Sequence, residues 1–330
     1  MRAVIERLRR PWPDSRAELA LGAVSCLLAV AIVAMIVFIV RGAWPTFEHD
    51  GLSWLGAGGN TSAQLGAMEN TSANPPAAAF HFHAWRLIYG TLLSSALALI
   101  LGLALAMATA IFIVDFAPRP VRRLMSPVIR LLAAVPSVLY GLIGILVLVP
   151  WTSQHLVTAA QKRSVEYVIQ LSGGGVLVAV LLLTMMITPI MTALITDALE
   201  SVPRPWREGA IALGLNPLRA TLAVSVRAIR PAIVAAAGLA AARVIGEAIV
   251  IAMVAGGVSF APNPADGTIF WFEPFSSLAS TIINDAESIN APALHAALYA
   301  IAALLMFSSF TLSLAAYVIK LPLRRYQVSS

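Results

Sequence analysis

The stretch Ile233-Val-Ala-Ala-Ala-Gly-Leu-Ala-Ala-Ala-Arg243-Val-Ile-Gly246-Glu247-Ala-Ile-Val-Ile-Ala-Met253 decides how this chain is read. It is apolar enough to cross a bilayer, which takes about 20 residues of helix, yet it carries two opposite charges four residues apart. From Pro231 the helix needs 12 residues, ~18 Å at 1.5 Å per residue, to reach Arg243, so neither interface is near. A charge at that depth costs between about 2.5 and more than 10 kcal/mol and is retained mainly where it faces protein or water. Arg243 is therefore the first candidate functional residue, with Glu247 and Gly246 beside it. On a continuous helix the two charges lie one turn apart and pair.

Composition places the rest of the chain in the same setting. Apolar residues make up 59% and charged residues 12%, with a mean hydropathy of +0.84, against about 25% charged residues in a soluble domain. A large soluble domain is excluded, and the fold class read here is an all-α polytopic membrane protein with six transmembrane helices. The runs are Leu19 to Val40, Leu87 to Val114, Val128 to Pro150, Gly175 to Thr196, Ile233 to Met253 and Leu294 to Ile319. Pro136 and Pro189 predict kinks in the third and fourth. The first run is too long for the apolar region of a signal peptide and reads as an anchor. The small residues Ala235 to Ala242 predict that the fifth span packs at the bundle centre. Cys26, the single cysteine, lies in an apolar run and has no partner for an internal disulfide.

Basic residues set the orientation. Five of them lie in Arg2 to Arg16, four in Arg119 to Arg130, five in Arg204 to Arg230 and three in Lys320 to Arg325, so 17 of the 22 fall on one side. By the positive-inside rule that side is the cytoplasm. Residues 1–18 and 320–330 are then cytoplasmic tails, 197–230 a cytoplasmic loop, and 41–86, 151–174 and 257–293 extracytoplasmic. These basic clusters lie between apolar runs rather than in one patch alternating with aromatics, so no nucleic acid is expected. Segment 41–86, rich in Gly, Ala, Asn and Ser, reads as a flexible loop, and its Asn60-Thr-Ser and Asn70-Thr-Ser tripeptides recur often by chance. His81 and His83 lack Cys or carboxylate partners at ligand spacing and read as interfacial, with no metal site. Residues 258–292 hold Asp266, Glu273, Asp285 and Glu287 without one Lys or Arg, and read as a pathway cap, a partner dock or a solvated loop.

The second informative stretch is Pro203-Arg-Pro-Trp-Arg-Glu208-Gly209-Ala210-Ile-Ala-Leu-Gly214. It predicts one to two helical turns over 208–213 ended by Gly214, a rigid knob able to fit a groove on a soluble partner. Glu208-Gly209-Ala210 followed by Gly214 resembles the EAA loop of ABC-importer permeases, the element that contacts the ATPase. Arg243-Val-Ile-Gly-Glu-Ala resembles the R-A-x-G-E-T run of permeases of the phosphate-specific importer, and Ala133-Ala-Val-Pro-Ser-Val-Leu-Tyr-Gly-Leu142 resembles their A-A-x-P-S-V-x-Y-G-L run. The segment through Val40-Arg-Gly-Ala-Trp-Pro-Thr-Phe47 also matches, and Met253-Val-Ala-Gly256 favours the PstC type. Two positions depart from the pattern: Val226 and Arg227 stand where Leu-Pro is usual, and Ala248 replaces Thr.

The resemblance implies the type I ABC-importer permease fold in a bacterial inner membrane. It also implies a second homologous permease subunit, two ATPase subunits and an extracytoplasmic phosphate-binding protein as partners. ATP and Mg would be used by the partner ATPase; this chain has no Gly-x-x-x-x-Gly-Lys-Ser/Thr loop and is expected to bind no cofactor and to be no enzyme. Independently of the resemblance, a guanidinium fork suits phosphate oxygens. In this reading Arg243 alternates between Glu247 and a passing anion; the alternative is a purely structural ion pair. Thr184, Thr188, Thr192 and Thr196 form a stripe along the fourth span, read as either helix packing or pathway lining, and Ser137 and Tyr140 are further weak candidates. Competing functions are a permease for another oxyanion and an ATP-independent secondary transporter. An intramembrane hydrolase is excluded, because no Gly-x-Ser-x-Gly, His-Glu-x-x-His or aspartate pair is present.

Overall fold

The computed structural model describes residues 15–71 and 76–323. Arg2, Arg7, Arg9 and Arg10 of the expected N-terminal tail, Arg324 and Arg325 of the C-terminal tail, and Ser72 of the second tripeptide lie outside the described residues. Among the described residues every long element is helical, the expected fold class. Five helices are long and apolar enough to cross a membrane, and a bent pair has the length and composition for a sixth if it is one span.

The first crossing, α1 (Ser15–Asp50), is one 36-residue helix that passes Arg41 and Pro45, ten residues beyond the expected end at Val40. Its last turns are held by packing, with Ala43, Thr46 and Asp50 buried. The segment after it is folded rather than flexible. Around the short helix α2 (Thr61–Glu69), Trp54, Leu65, Met68, Phe80 and Phe82 form an apolar cluster with Leu294, Leu298 and Ile301. Thr61 donates its hydroxyl to the His83 carbonyl at 2.7 Å, and the Gln64 side chain both accepts from the His83 amide at 3.0 Å and meets its Nδ1 at 3.2 Å. His81 pairs with buried Asp50. Both histidines thus fasten this cap at the end of α1.

The second crossing, α3 (Trp85–Ile111), ends in a π-helical turn, Phe112–Phe116. The third differs most from the sequence reading. Residues 119–133 form a separate amphipathic helix, α4 (Arg119–Ala133), with no buried residue, and the crossing begins only at Ser137 as α5 (Ser137–His155). Pro136 causes the break: it has no N–H to donate and forces the preceding residue out of the helical region, so it starts the span instead of kinking it. A short helix, α6 (Ala159–Val165), opens with a Thr158/Gln161 capping box.

The fourth crossing, α7 (Val176–Glu200), is the central helix. It is the most deeply enclosed of the spans, and it packs along α3, α4 and the later helix α10. This corrects the expectation that the fifth span holds the centre. Along its threonine stripe, Thr188 and Thr192 donate back to the carbonyls of Thr184 and Thr188 at 2.7 Å, and Thr184 reaches Ala98 of α3 at 3.5 Å.

The chain then continues through α8 (Arg204–Ala212), α9 (Pro217–Ala228) and α10 (Arg230–Ile245), the last two meeting at 72°. Helix α10 stops at Gly246, and a six-residue helix, α11 (Ile249–Val254), follows, so the stretch 233–253 is not one continuous helix. A strap, residues 255–291, folds back over the ends of α7 and α11, carrying α12 (Leu278–Asn284), and α13 (Pro292–Leu323) packs along α1 and α10.

Candidate functional site

The break at Gly246 sets the geometry around the charged pair. Residues Ala236, Ala240, Ala241 and Val244 bury one face of α10, while Leu239, Arg243 and Gly246 lie exposed along another, three to four residues apart. Glu247 is buried, at 8% exposure, and its Oε1 accepts the Val250 amide at 3.2 Å, closing the start of α11. The carboxylate and the guanidinium do not pair. Among the described residues the ion pairs are His81–Asp50, Arg122–Glu200, Arg130–Asp197 and Arg207–Asp115. The expected 243–247 pair fails because it needs an unbroken turn, and the helix ends between its two members. What remains is an arginine more than ten residues into an apolar helix, standing on an open face of the subunit. Ser137, half-buried beside Pro136, and Thr188, half-buried on α7, belong to other elements.

The knob is built as the sequence indicates, and starts earlier. Helix α8 runs from Arg204, with Pro205 in its first turn, and closes in a Schellman motif: the Gly214 amide donates to Ile211 at 2.9 Å and the Leu215 amide to Ala210 at 3.2 Å. Gly214 has φ +93, a conformation costly for other residues. Glu208 and Gly209 are exposed, Ala210 is buried, and Leu213 at the tip is 86% exposed.

Sequence reasoning missed what fastens this knob. Asp115, in the π-helical turn at the end of α3, pairs with Arg207 of α8 and accepts the Thr221 hydroxyl from α9 at 2.6 Å. Beside it lies a cavity of about 360 Å3 lined by Arg122, Glu200, Arg204, Glu208 and Ile211 among others. A lone aspartate at the end of an apolar run resembles an ordinary boundary residue, so only the pairing marks it.

At the opposite end of the bundle, the strap joins α3, α7 and α11. The Phe275 amide donates to Ala255, the Val176 amide to the Glu273 carbonyl, and the Leu278 amide to the Thr91 hydroxyl. Glu273 is buried, and burial together with neighbouring Asp266 pushes its carboxyl up to about 7, although the Asn263 amide donates to it at 2.8 Å. Burial and the Glu69 charge also raise Asp285. Of the alternatives for the acidic segment, Glu273 fits neither a solvated loop nor a partner's contact, because it is enclosed.

A helical bundle with a central α7, several apolar helices long enough to cross a membrane, an arginine deep in an apolar helix and a knob clipped to the bundle fits an integral membrane transport subunit. Residues 98–320 match the model of the binding-protein-dependent transport system inner membrane component, and the chain belongs to that family. It is 32% identical over 237 residues to the phosphate transport system permease protein PstC 1 of Mycobacterium tuberculosis, covering 70% of this chain and 68% of that one. Identity to PstC of Mesorhizobium japonicum is 27% over 270 residues, covering 80% and 76%. Identity to the probable ABC transporter permease protein YqgH of Bacillus subtilis is 28% over 262 residues, covering 79% and 78%. The fold is shared with a bacterial alginate ABC transporter solved with an alginate-bound periplasmic protein, at a TM-score of 0.55 and 15% identity, covering 98% of this chain and 100% of that chain.

Proposed function

We propose that this chain is the PstC-type permease subunit of an ATP-driven importer that moves inorganic phosphate into the cytoplasm by alternating access. The observation that carries the reading is Arg243, charged, exposed on the isolated subunit and deep in an apolar helix. Lipid is a costly surrounding for it; the wall of a water-filled path shared with a second, similar permease is not. Its planar fork matches phosphate oxygens, and the relatives named as phosphate permeases support the substrate. Glu247 fixes the break at Gly246 so that the guanidinium stays on the open face.

In this proposal both termini lie in the cytoplasm, where two ATPase subunits engage α8 at Glu208, Gly209, Ala210 and Gly214. ATP and Mg act on those subunits, and a phosphate-binding protein delivers the anion on the other side. The test is uptake of radiolabelled phosphate by the complex reconstituted in vesicles, with sulfate and arsenate as competitors. Uptake that continues when the ATPase is catalytically disabled sinks the ATP-driven reading, and sulfate competing as well as phosphate makes the substrate another oxyanion.

A further inference from the structure

The coupling helix meets the bundle through few polar contacts, and one of them is enclosed. The Arg207 and Asp115 side chains are 19% and 10% exposed, and the second oxygen of Asp115 accepts from Thr221. The same carboxylate therefore gathers α8, α9 and the end of α3. Two of the three segments it gathers depart from α-geometry at the contact, in the π-helical turns Phe112–Phe116, which holds Asp115, and Thr221–Ser225, which begins at its partner Thr221. Such turns are rare and are frequent at functional sites. A π-helical turn holds an extra residue in the ladder, so it changes length locally without breaking the helix. The 360 Å3 cavity beside the pair leaves α8 unpacked on its Glu208 and Ile211 side.

We infer that Asp115 is a positioning residue that makes α8, α9 and the end of α3 move as one body, so that thrust on the knob reaches α3 directly as well as its chain neighbours α7 and α9. This rests on the ATP-driven reading above. Without the clip, α8 hands its motion on only along the chain, back through residues 201–203 to the end of α7 and forward through the Asn216-capped start of α9 and across the 72° bend. With it, the second span is driven directly, and α3 packs along the central α7.

The test places spin labels at Phe116→Cys and Leu213→Cys in a Cys26→Ser background of the full chain in lipid nanodiscs; all three native side chains are exposed. The distance distribution should be narrow with Asp115 intact and broaden in both Asp115→Asn and Arg207→Gln. A distribution that stays narrow in either variant overturns the inference. In the reconstituted complex, phosphate taken up per ATP hydrolysed should fall about tenfold or more in both variants, in the range of a typical coupling energy, while hydrolysis continues; an unchanged ratio also overturns it. Absence of ATP-driven phosphate uptake in the unaltered complex would instead defeat the transport reading, and the label distances would still report on the clip.

Discussion

Arg243 and Glu247 are four residues apart and occupy opposite environments: the guanidinium lies on an exposed face of α10, and the carboxylate is turned inward to accept the Val250 amide. Gly246 between them makes this possible by ending the helix, which separates an exposed charge from the group that fixes the backbone.

The two residues should therefore respond differently to substitution. Arg243→Gln removes the charge from the open face and should lower phosphate uptake at least about tenfold, the loss expected of a charged hydrogen bond, with insertion and ATPase binding intact. Transport by vesicles, alongside copurification of the ATPase, measures both.

Glu247→Gln keeps an oxygen that accepts from Val250 and should leave thermal stability nearly unchanged. Glu247→Ala removes it and should cost about 1 kcal/mol, as for a lost helix cap. Melting curves of the detergent-purified protein compare them.

Glu273 makes stability depend on pH. Its folded value of about 7 exceeds the ordinary 4.5, so between those values the folded chain holds a proton that the unfolded chain has released. Stability should fall as pH rises from about 4.5 to about 7 and level off above, by at most about 3 kcal/mol. The melting temperature should be higher at pH 5 than at pH 8, and Glu273→Gln should reduce that difference.

At Gly175, with φ +149, an added Cβ would come 2.6 Å from the Glu273 carbonyl oxygen and 2.8 Å from Phe272 backbone atoms. Gly175→Ala should cost about 1 to 3 kcal/mol by prising the strap from the start of α7. Gly214→Ala meets no atom within 4 Å and should cost only its backbone strain, about 1 kcal/mol, with the loss read in ATPase binding rather than in the melt.

What the sequence made legible follows the physics of each segment. The spans α1, α7 and α13 are long uninterrupted apolar runs, and hydropathy alone places them. The Gly214 stop was equally plain, because a glycine after a short helix has few other uses. The third span was misplaced because Val128, Leu131 and Leu132 continue the apolar run into α4, and hydropathy cannot tell an exposed amphipathic helix from a crossing one. The break at Gly246 was missed because a single glycine is tolerated in membrane helices. Segment 41–86 read as flexible although Trp54, Phe80 and Phe82 fold it, since its packing partners lie more than 200 residues away in α13. Asp115 was invisible for the same reason: Arg207 is distant in sequence.

Helix α1 contributes almost no buried surface of its own along the bilayer and rests mainly on α13. This span thus has its chief neighbour in the subunit more than 200 residues away in sequence, so the contact between them can form only after the intervening spans have been made. A chain cut before Pro292 should leave α1 without its main packing surface in the subunit.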